Sequence, residues 1–555
     1  MKYRNLLLWI LLAFAFLIRV ISISDYPPSL NWDEVSHGYN AYSLLKTGTD
    51  EWGEPYPQIF RAYGDYKLPV YIYLTIPSVA IFGLTPLAVR LPSILAGVIV
   101  VLFTYLLTQK LFDRKDISFF AAFISAIAPW SFFLSRVALE ANVALALTLA
   151  GVYYFFDDIK HKNGNLIRSA VLLSLSVWTY NSYRFFTPLI SLVLISIYHK
   201  ELKKLFLKNK VTVVLSGIIF TFFISAMALQ FLSAEGSARY DNVAIISEAS
   251  IGQIEHIRNI SQLPEIVTRV LYNRYTYFCY TFVSHFVSHF STDFLFTSGG
   301  SNYQFNIQSH GLLFAITFPF ITIGSIAFFL SRKYRKHYLF IVLWILAAPL
   351  AASLTKDTPH TLRTITFLPL PYILTAYGIT YALDLTKKYR SIFTSIIVFT
   401  YLLYFTRYFI TYTNEYTRNY SWAWQYGYEQ AVDYAMTQYE KYDVILMTKK
   451  YGEPHEFVLF YSSWNPAEFK NDSNLVRFYQ SDWYWTDRFD KFNFINDWDI
   501  PMESSDNWIL ESEEMVDISG KVLLITSPGN YPNGWHVLDT IHFLDGQAVF
   551  DIVEK

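Results

Sequence analysis

Residues 87–109, LAVRLPSILAGVIVVLFTYLLTQ, decide the fold. Beyond Arg90 this stretch carries no charge. It is long enough to cross a bilayer, which takes about 20 mostly apolar residues. Comparable runs recur at 5–22, 117–135, 138–156, 167–181, 184–198, 211–232, 311–330, 338–354, 363–383 and 391–411, which gives about 11 expected spans. Residues 69–83 (PVYIYLTIPSVAIFG) are apolar but short and contain Pro77, so a juxtamembrane helix is expected there. The expectation is a mainly α, polytopic helical bundle.

Composition agrees. Hydrophobic residues make up 53% of the 555 and charged residues 16%, against roughly 25% charge in soluble domains. A disordered chain, a collagen-like chain and an ordinary cytosolic enzyme are excluded. The single cysteine, Cys279, excludes an internal disulfide framework and a Cys-rich metal site.

Orientation follows from Lys and Arg. With the N-terminus inside, the inner loops read KLFDRKD, DDIKHKNGNLIR, YHKELKKLFLKNK, SRKYRKHY and DLTKKYR, all basic. No small-residue cleavage site follows the first apolar run, so it reads as a retained span rather than a signal peptide. The loops 23–86 and 233–310 then lie outside, as does the tail. The expected domains are a membrane domain, 1–411, and an extracytoplasmic α/β domain, 412–555. From Thr411 onward 24 Asp and Glu stand against 10 Lys and Arg. An acidic tail behind a basic membrane body argues against nucleic acid as a partner. In the tail, 425–441 has helical spacing, DVILMT and KVLLIT read as buried strands, and HVLDTIHF with QAVFDIV reads as a closing hairpin around Asp545-Gly546.

Charged residues at the outer edges of spans are the candidates for chemistry. Asp33 and Glu34 follow the first span in SLNWDEVSHGYNAYSLL. Asp33 either caps the helix that begins there or serves as a tuned base. Lys67 either snorkels to the interface or meets an anion. Arg90, set among apolar residues, needs an anionic partner, either a protein carboxylate or a lipid phosphate. Arg136 and Glu140 share a face if that stretch is helical. Arg184, and the cluster Asp357, His360 and Arg363, edge other spans. His37 and Tyr63 are further supporting candidates in the first loop. His285 and His289 have zinc-helix spacing but lack the following Glu, so no metal site is expected. Walker, GxGxxG and GxSxG motifs are absent. The aromatic run 480–499 either packs a core or stacks on sugars.

NWDEVSHGYNAYSLL, followed by YKLPVYIYLTIPSVAIFGLTPLAVRLPSILAGVIVVLFTYLLTQKLF, resembles the front half of the GT-C membrane glycosyltransferases. The likeness is to the protein O-mannosyltransferase and aminoarabinose transferase group, families 39 and 83. It rests on the acidic pair Asp33-Glu34, on Lys67-Leu68-Pro69, and on the run from Arg90 to Phe112. The later segments SHFSTDFLF, HGLLF and PHTLR resemble a prokaryotic branch of that group. Tyr66 replaces the group's usual charged residue, and no MIR-type domain interrupts the long loop.

The resemblance implies a polyprenyl-phosphate-linked sugar donor and transfer outside the cytoplasm, in the cell membrane. It implies Asp33 as base, with Glu34 supporting, and Lys67, Arg90 and Arg363 as cations for the donor phosphate. It further implies inversion at the anomeric carbon, an unidentified glycan, lipid or protein acceptor, and no required cofactor. A divalent ion belongs to the diphosphate-using relatives. The alternatives are a ligase for a diphosphate-linked glycan, a lipid-linked sugar transporter or flippase, and a non-catalytic scaffold whose tail binds a glycan or protein.

Overall fold

The computed structural model describes residues 2–233, 243–331, 334–503 and 505–555. The chain forms two compact units. One comprises Met1–Arg19, Ser93–Ser135 and Leu139–Phe409; the other comprises Val20–Pro92, Arg136–Ala138 and Ile410–Lys555.

The first unit is helical. Every stretch expected to span is helical over most of its length. Fewer helices are long and apolar enough to cross a membrane alone. Among the described residues there are five, or six if the pair Asn181–Ile197 and His199–Lys208, bent by 80°, counts as one. The shortfall from the expected number has local causes. The stretch 117–135 splits into Lys115–Ile127 and Pro129–Leu134, because Pro129 cannot donate to the preceding turn. The helices Leu166–Val177 and Thr317–Leu330 have 12 and 14 residues. Two glycines let helices Thr317–Leu330 and Leu370–Leu385 pack closely. A Cβ on Gly324 would stand 1.9 Å from the Leu374 carbonyl oxygen, and one on Gly378 1.9 Å from that of Phe320. Small residues let apolar helices approach backbone to backbone where lipid offers no hydrophobic drive.

The second unit joins the first expected outer loop to the C-terminal region. Helix Trp32–Thr47 leads to a two-stranded turn, Phe60–Arg61 with Tyr66–Lys67, and then to helix Pro69–Phe82. The tail builds a seven-stranded mixed sheet. Its centre is Val444–Thr448, parallel to both Val522–Thr526 and Phe492–Ile495. These are the runs read as buried strands and part of the aromatic run. The hairpin His536–His542 with Ala548–Glu554 closes one edge, and Val476–Gln480 beside Trp483–Phe489 closes the other. Helix Tyr428–Thr437 covers less of 425–441 than its spacing suggests. Trp508 stacks on Trp535 at 5.6 Å in the sheet's core.

The tail is not separate from the first loop. The Trp32 N–H donates to Gln425 Oε1 (2.8 Å), and the Tyr484 N–H to the Tyr63 carbonyl (2.8 Å). A Cβ on Gly38 would stand 2.5 Å from Phe460. Gly452 has φ +121 and packs where a Cβ would meet Trp32 at 2.2 Å, so both its conformation and its space require glycine. The break between Phe409 and Ile410 falls beside the boundary expected at 411, and residues 20–92 and 136–138 group with the tail in the second unit.

Candidate functional site

Helix Trp32–Thr47 sets up the site in the second unit. Its cap is Asn31, not Asp33. The Asn31 side chain accepts the Glu34 N–H (3.0 Å), and the Glu34 carboxylate accepts the Asn31 N–H (3.3 Å), a reciprocal capping box. Asp33 therefore lies in the first helical turn, where an acid complements the exposed N–H groups and the helix dipole.

The two adjacent acids differ in surroundings. Glu34 is buried. Its Oε1 accepts Arg90 Nε (2.9 Å) and the Ala138 N–H (2.9 Å), and its Oε2 accepts Arg90 Nη2 (2.9 Å). Arg90 also donates to the carbonyls of Ile23 (2.8 Å), Pro27 (3.2 Å) and Ser29 (2.6 Å). A guanidinium has five N–H donors, and these bonds use all of them. Of the two partners expected for Arg90, the structure supplies the protein carboxylate. Its guanidinium keeps no donor for a lipid phosphate, and Glu34 is occupied as the other half of the same lock.

Asp33 is 52% exposed, and its Oδ1 lies 3.0 Å from Lys67 Nζ. The Lys67 side chain is only 6% exposed, so it is buried against a carboxylate rather than snorkelling. Its ammonium also lies 3.4 Å from the Asp33 carbonyl oxygen and 5.3 Å from the centre of the Tyr63 ring. Tyr63 donates its hydroxyl to the Trp32 carbonyl (2.9 Å) and stacks on Trp483 at 5.8 Å. His37 is buried with its ring 5.0 Å from Tyr71. Arg136 is buried and donates to the carbonyls of Ile21 (3.0 Å), Ser22 (3.3 Å) and Tyr26 (2.8 Å). It lies in the turn before helix Glu140–His161, so the helical spacing to Glu140 does not apply.

Sequence reasoning missed the acids beside this pair. Trp483 Nε1 donates to Glu453 Oε1 (2.5 Å). Glu453, Glu456 and Glu51 are all buried. Burial pushes the Glu453 carboxyl up to about 8. Burial and mutual repulsion push Glu456 up as well, and burial raises Glu51 despite the nearby Arg477 guanidinium. His455, 3.5 Å from Glu453 Oε2, is held neutral by burial. The one signal available was the density of acids in EWGEP and YGEPHEF.

The remaining candidates lie in the first unit. Arg184 and Arg363 line one cleft with Tyr180, Phe185, Phe231 and Leu354, about 550 Å³ of empty space including its open mouth. Arg184 donates to Gln230 Oε1 (3.0 Å), and Arg363 to Thr355 Oγ1 (2.7 Å). The His360 Nδ1 accepts the Arg363 N–H (3.2 Å). Glu140 is the first residue of its helix. Among the described residues, no group of three or more His, Cys, Asp or Glu side chains is placed to hold a metal ion.

Residues 67–228 match the family described as dolichyl-phosphate-mannose-protein mannosyltransferase. No curated protein sequence matches the chain. ArnT from Cupriavidus metallidurans is similar in its apo state (TM-score 0.52, 10% identity) and bound to undecaprenyl phosphate (0.51, 11%). Each likeness covers 98% of this chain and 97% of that one. The oligosaccharyltransferase AglB from Archaeoglobus fulgidus is similar over 83% of this chain (TM-score 0.48, 15% identity), which spans 63% of that protein's length. The fold is that of the GT-C membrane glycosyltransferases. The chain is similar in residues 67–228 to the mannosyltransferase family and in fold to ArnT.

Proposed function

We propose that the protein moves a sugar from a polyprenyl-phosphate donor to an extracytoplasmic acceptor, with inversion, in the cell membrane. The reading is carried by the Asp33–Lys67 pair: a half-exposed carboxylate within one hydrogen bond of a buried ammonium. Asp33 takes the proton of the acceptor hydroxyl as that oxygen attacks the anomeric carbon. The bond from that carbon to the phosphate oxygen breaks, and its electron pair leaves with the polyprenyl phosphate. Lys67 offsets the charge that develops there. Glu34 and Arg90 take no part in the chemistry; they hold the helix start that carries Asp33. Arg363 is assigned to the phosphate on the resemblance alone; with Arg184 it lines a cleft within the first unit whose cations and apolar walls suit an anion on an isoprenoid tail. The undecaprenyl phosphate bound by the Cupriavidus protein supports a donor of this class.

The test is transfer in proteoliposomes from defined polyprenyl-phosphate sugars, with the product's anomeric configuration read by NMR. Turnover with inverted product is expected. Retention of configuration, or turnover with a nucleotide sugar alone, would contradict the reading.

A further inference from the structure

The long loop between 233 and 310 contains a helix that water does not suit. Helix Arg274–Ser288 buries none of its 15 side chains. From Tyr275 to Thr292 the sequence has no Asp, Glu, Lys or Arg. One face carries a ladder of half-buried rings: Phe278 to Phe282 at 6.1 Å, then Phe286 at 6.3 Å and the exposed Phe290 at 5.5 Å. The opposite face turns Tyr280 (76% exposed), Val283 and Val287 outward, and Tyr275 (84%) is exposed in the first turn. The preceding helix, Glu265–Leu271, likewise exposes Ile266 (79%) and Val270.

A helix docking on a protein partner shows one apolar stripe and a charged back. This helix has an aromatic face and an apolar one, with the neutral polar side chains of Thr281, Ser284, His285 and Ser288 between them, and it has no charged back. Exposed apolar and aromatic side chains beside a neutral polar strip suit the boundary between acyl chains and headgroups. Its length is about 22 Å at 1.5 Å per residue, short of the roughly 30 Å hydrocarbon core, so it cannot cross. Tyrosines on the surface, with Arg274 at one end, are the residues of a membrane–water boundary. The next α-helix in the chain, Thr317–Leu330, is apolar.

We propose that helix Arg274–Ser288 lies in the headgroup–acyl boundary of the bilayer, along its surface, with Tyr275, Tyr280, Val283 and Val287 in lipid. The inference rests on the membrane architecture and not on sugar transfer, so either can fail alone.

Cys279 is exposed on this helix and is the chain's sole cysteine, so a fluorescent maleimide reports on the helix without engineering. The full chain is placed in vesicles of phosphatidylethanolamine and phosphatidylglycerol. Quenching by nitroxide lipids is compared with quenching by aqueous iodide. The reference is Cys279→Ser with Gln547→Cys, labelled on the exposed hairpin of the tail. The label at Cys279 should be quenched by shallow nitroxide lipids and several-fold less by iodide than the reference. Iodide quenching equal to the reference would place the helix in water and overturn the proposal. Protection from both quenchers would overturn it in favour of a protein covering. In a second variant, Tyr280→Asp with Val283→Asp should lower lipid quenching at Cys279; unchanged quenching there would argue that these side chains are not in lipid.

Discussion

Asp33 and Glu34 are neighbours in the chain and opposites in the structure. Each carboxylate faces a cation. Glu34 is sealed with Arg90, and four N–H donors satisfy its oxygens. Asp33 is half open beside Lys67. The difference teaches that an acidic pair at the start of a helix need not act as a pair. Exposure, not residue type, decides which acid a substrate can reach. A buried, fully bonded ion pair positions a segment; a half-exposed one can exchange partners.

The contrast can be broken from either side. The largest effect should come from the sealed pair. Glu34→Ala leaves Arg90 charged, buried and short of acceptors, and losing one partner of such a pair costs about 3–5 kcal/mol. Thermal melting of the purified protein should show a fall of many degrees or no folded material. A melting temperature within a degree of wild type would equate the two acids.

On the open side, removing the proposed base should lower turnover by about 10²–10⁴-fold, the usual worth of a positioned proton acceptor. Lys67→Ala should raise the donor KM more than the acceptor KM, because the ammonium is assigned to the phosphate. Equal shifts would indicate that Lys67 serves only to orient Asp33. Arg363→Ala should weaken donor binding too, in a variant that melts like wild type; an unchanged donor KM would remove Arg363 from the assignment.

The smallest expected effect concerns the buried acids. Glu453 keeps its proton in the folded protein up to about pH 8, whereas its ordinary value is 4.5. Between those values the unfolded chain ionises first, so stability falls as pH rises. His455, whose ordinary value is 6.5, acts in the opposite direction only below that pH. From pH 6.5 to 8 the melting temperature should therefore decline, and Glu453→Gln should flatten the decline. The same slope in both proteins would show that Glu453 is not the group responsible.

Much of this was legible in the sequence, and the limits have physical reasons. Apolar runs and basic loops marked the helical bundle, because a bilayer's demand for apolar length overrides local detail. Breaks such as the one at Pro129 were written in the sequence too, but a hydropathy window averages over them. The strands 444–448 and 522–526 were visible as β-branched and apolar runs. The site was legible by neighbourhood only. Asp33, Lys67 and Arg90 stood out as charges next to apolar spans, yet nothing local said that Arg90 would choose Glu34 and leave Asp33 to Lys67. Asn31 outcompeted Asp33 as cap because Glu34 stands three residues after it and closes the reciprocal box. Glu453 and Glu456 come from some 420 residues away, and only the folded sheet brings their helix beside the first loop.

The most direct test measures turnover and melting temperature together for Asp33→Asn in proteoliposomes, with a polyprenyl-phosphate sugar as donor. The account predicts an unchanged melting temperature and transfer lowered by at least about 100-fold. A stable Asp33→Asn protein that transfers sugar at the wild-type rate would contradict it.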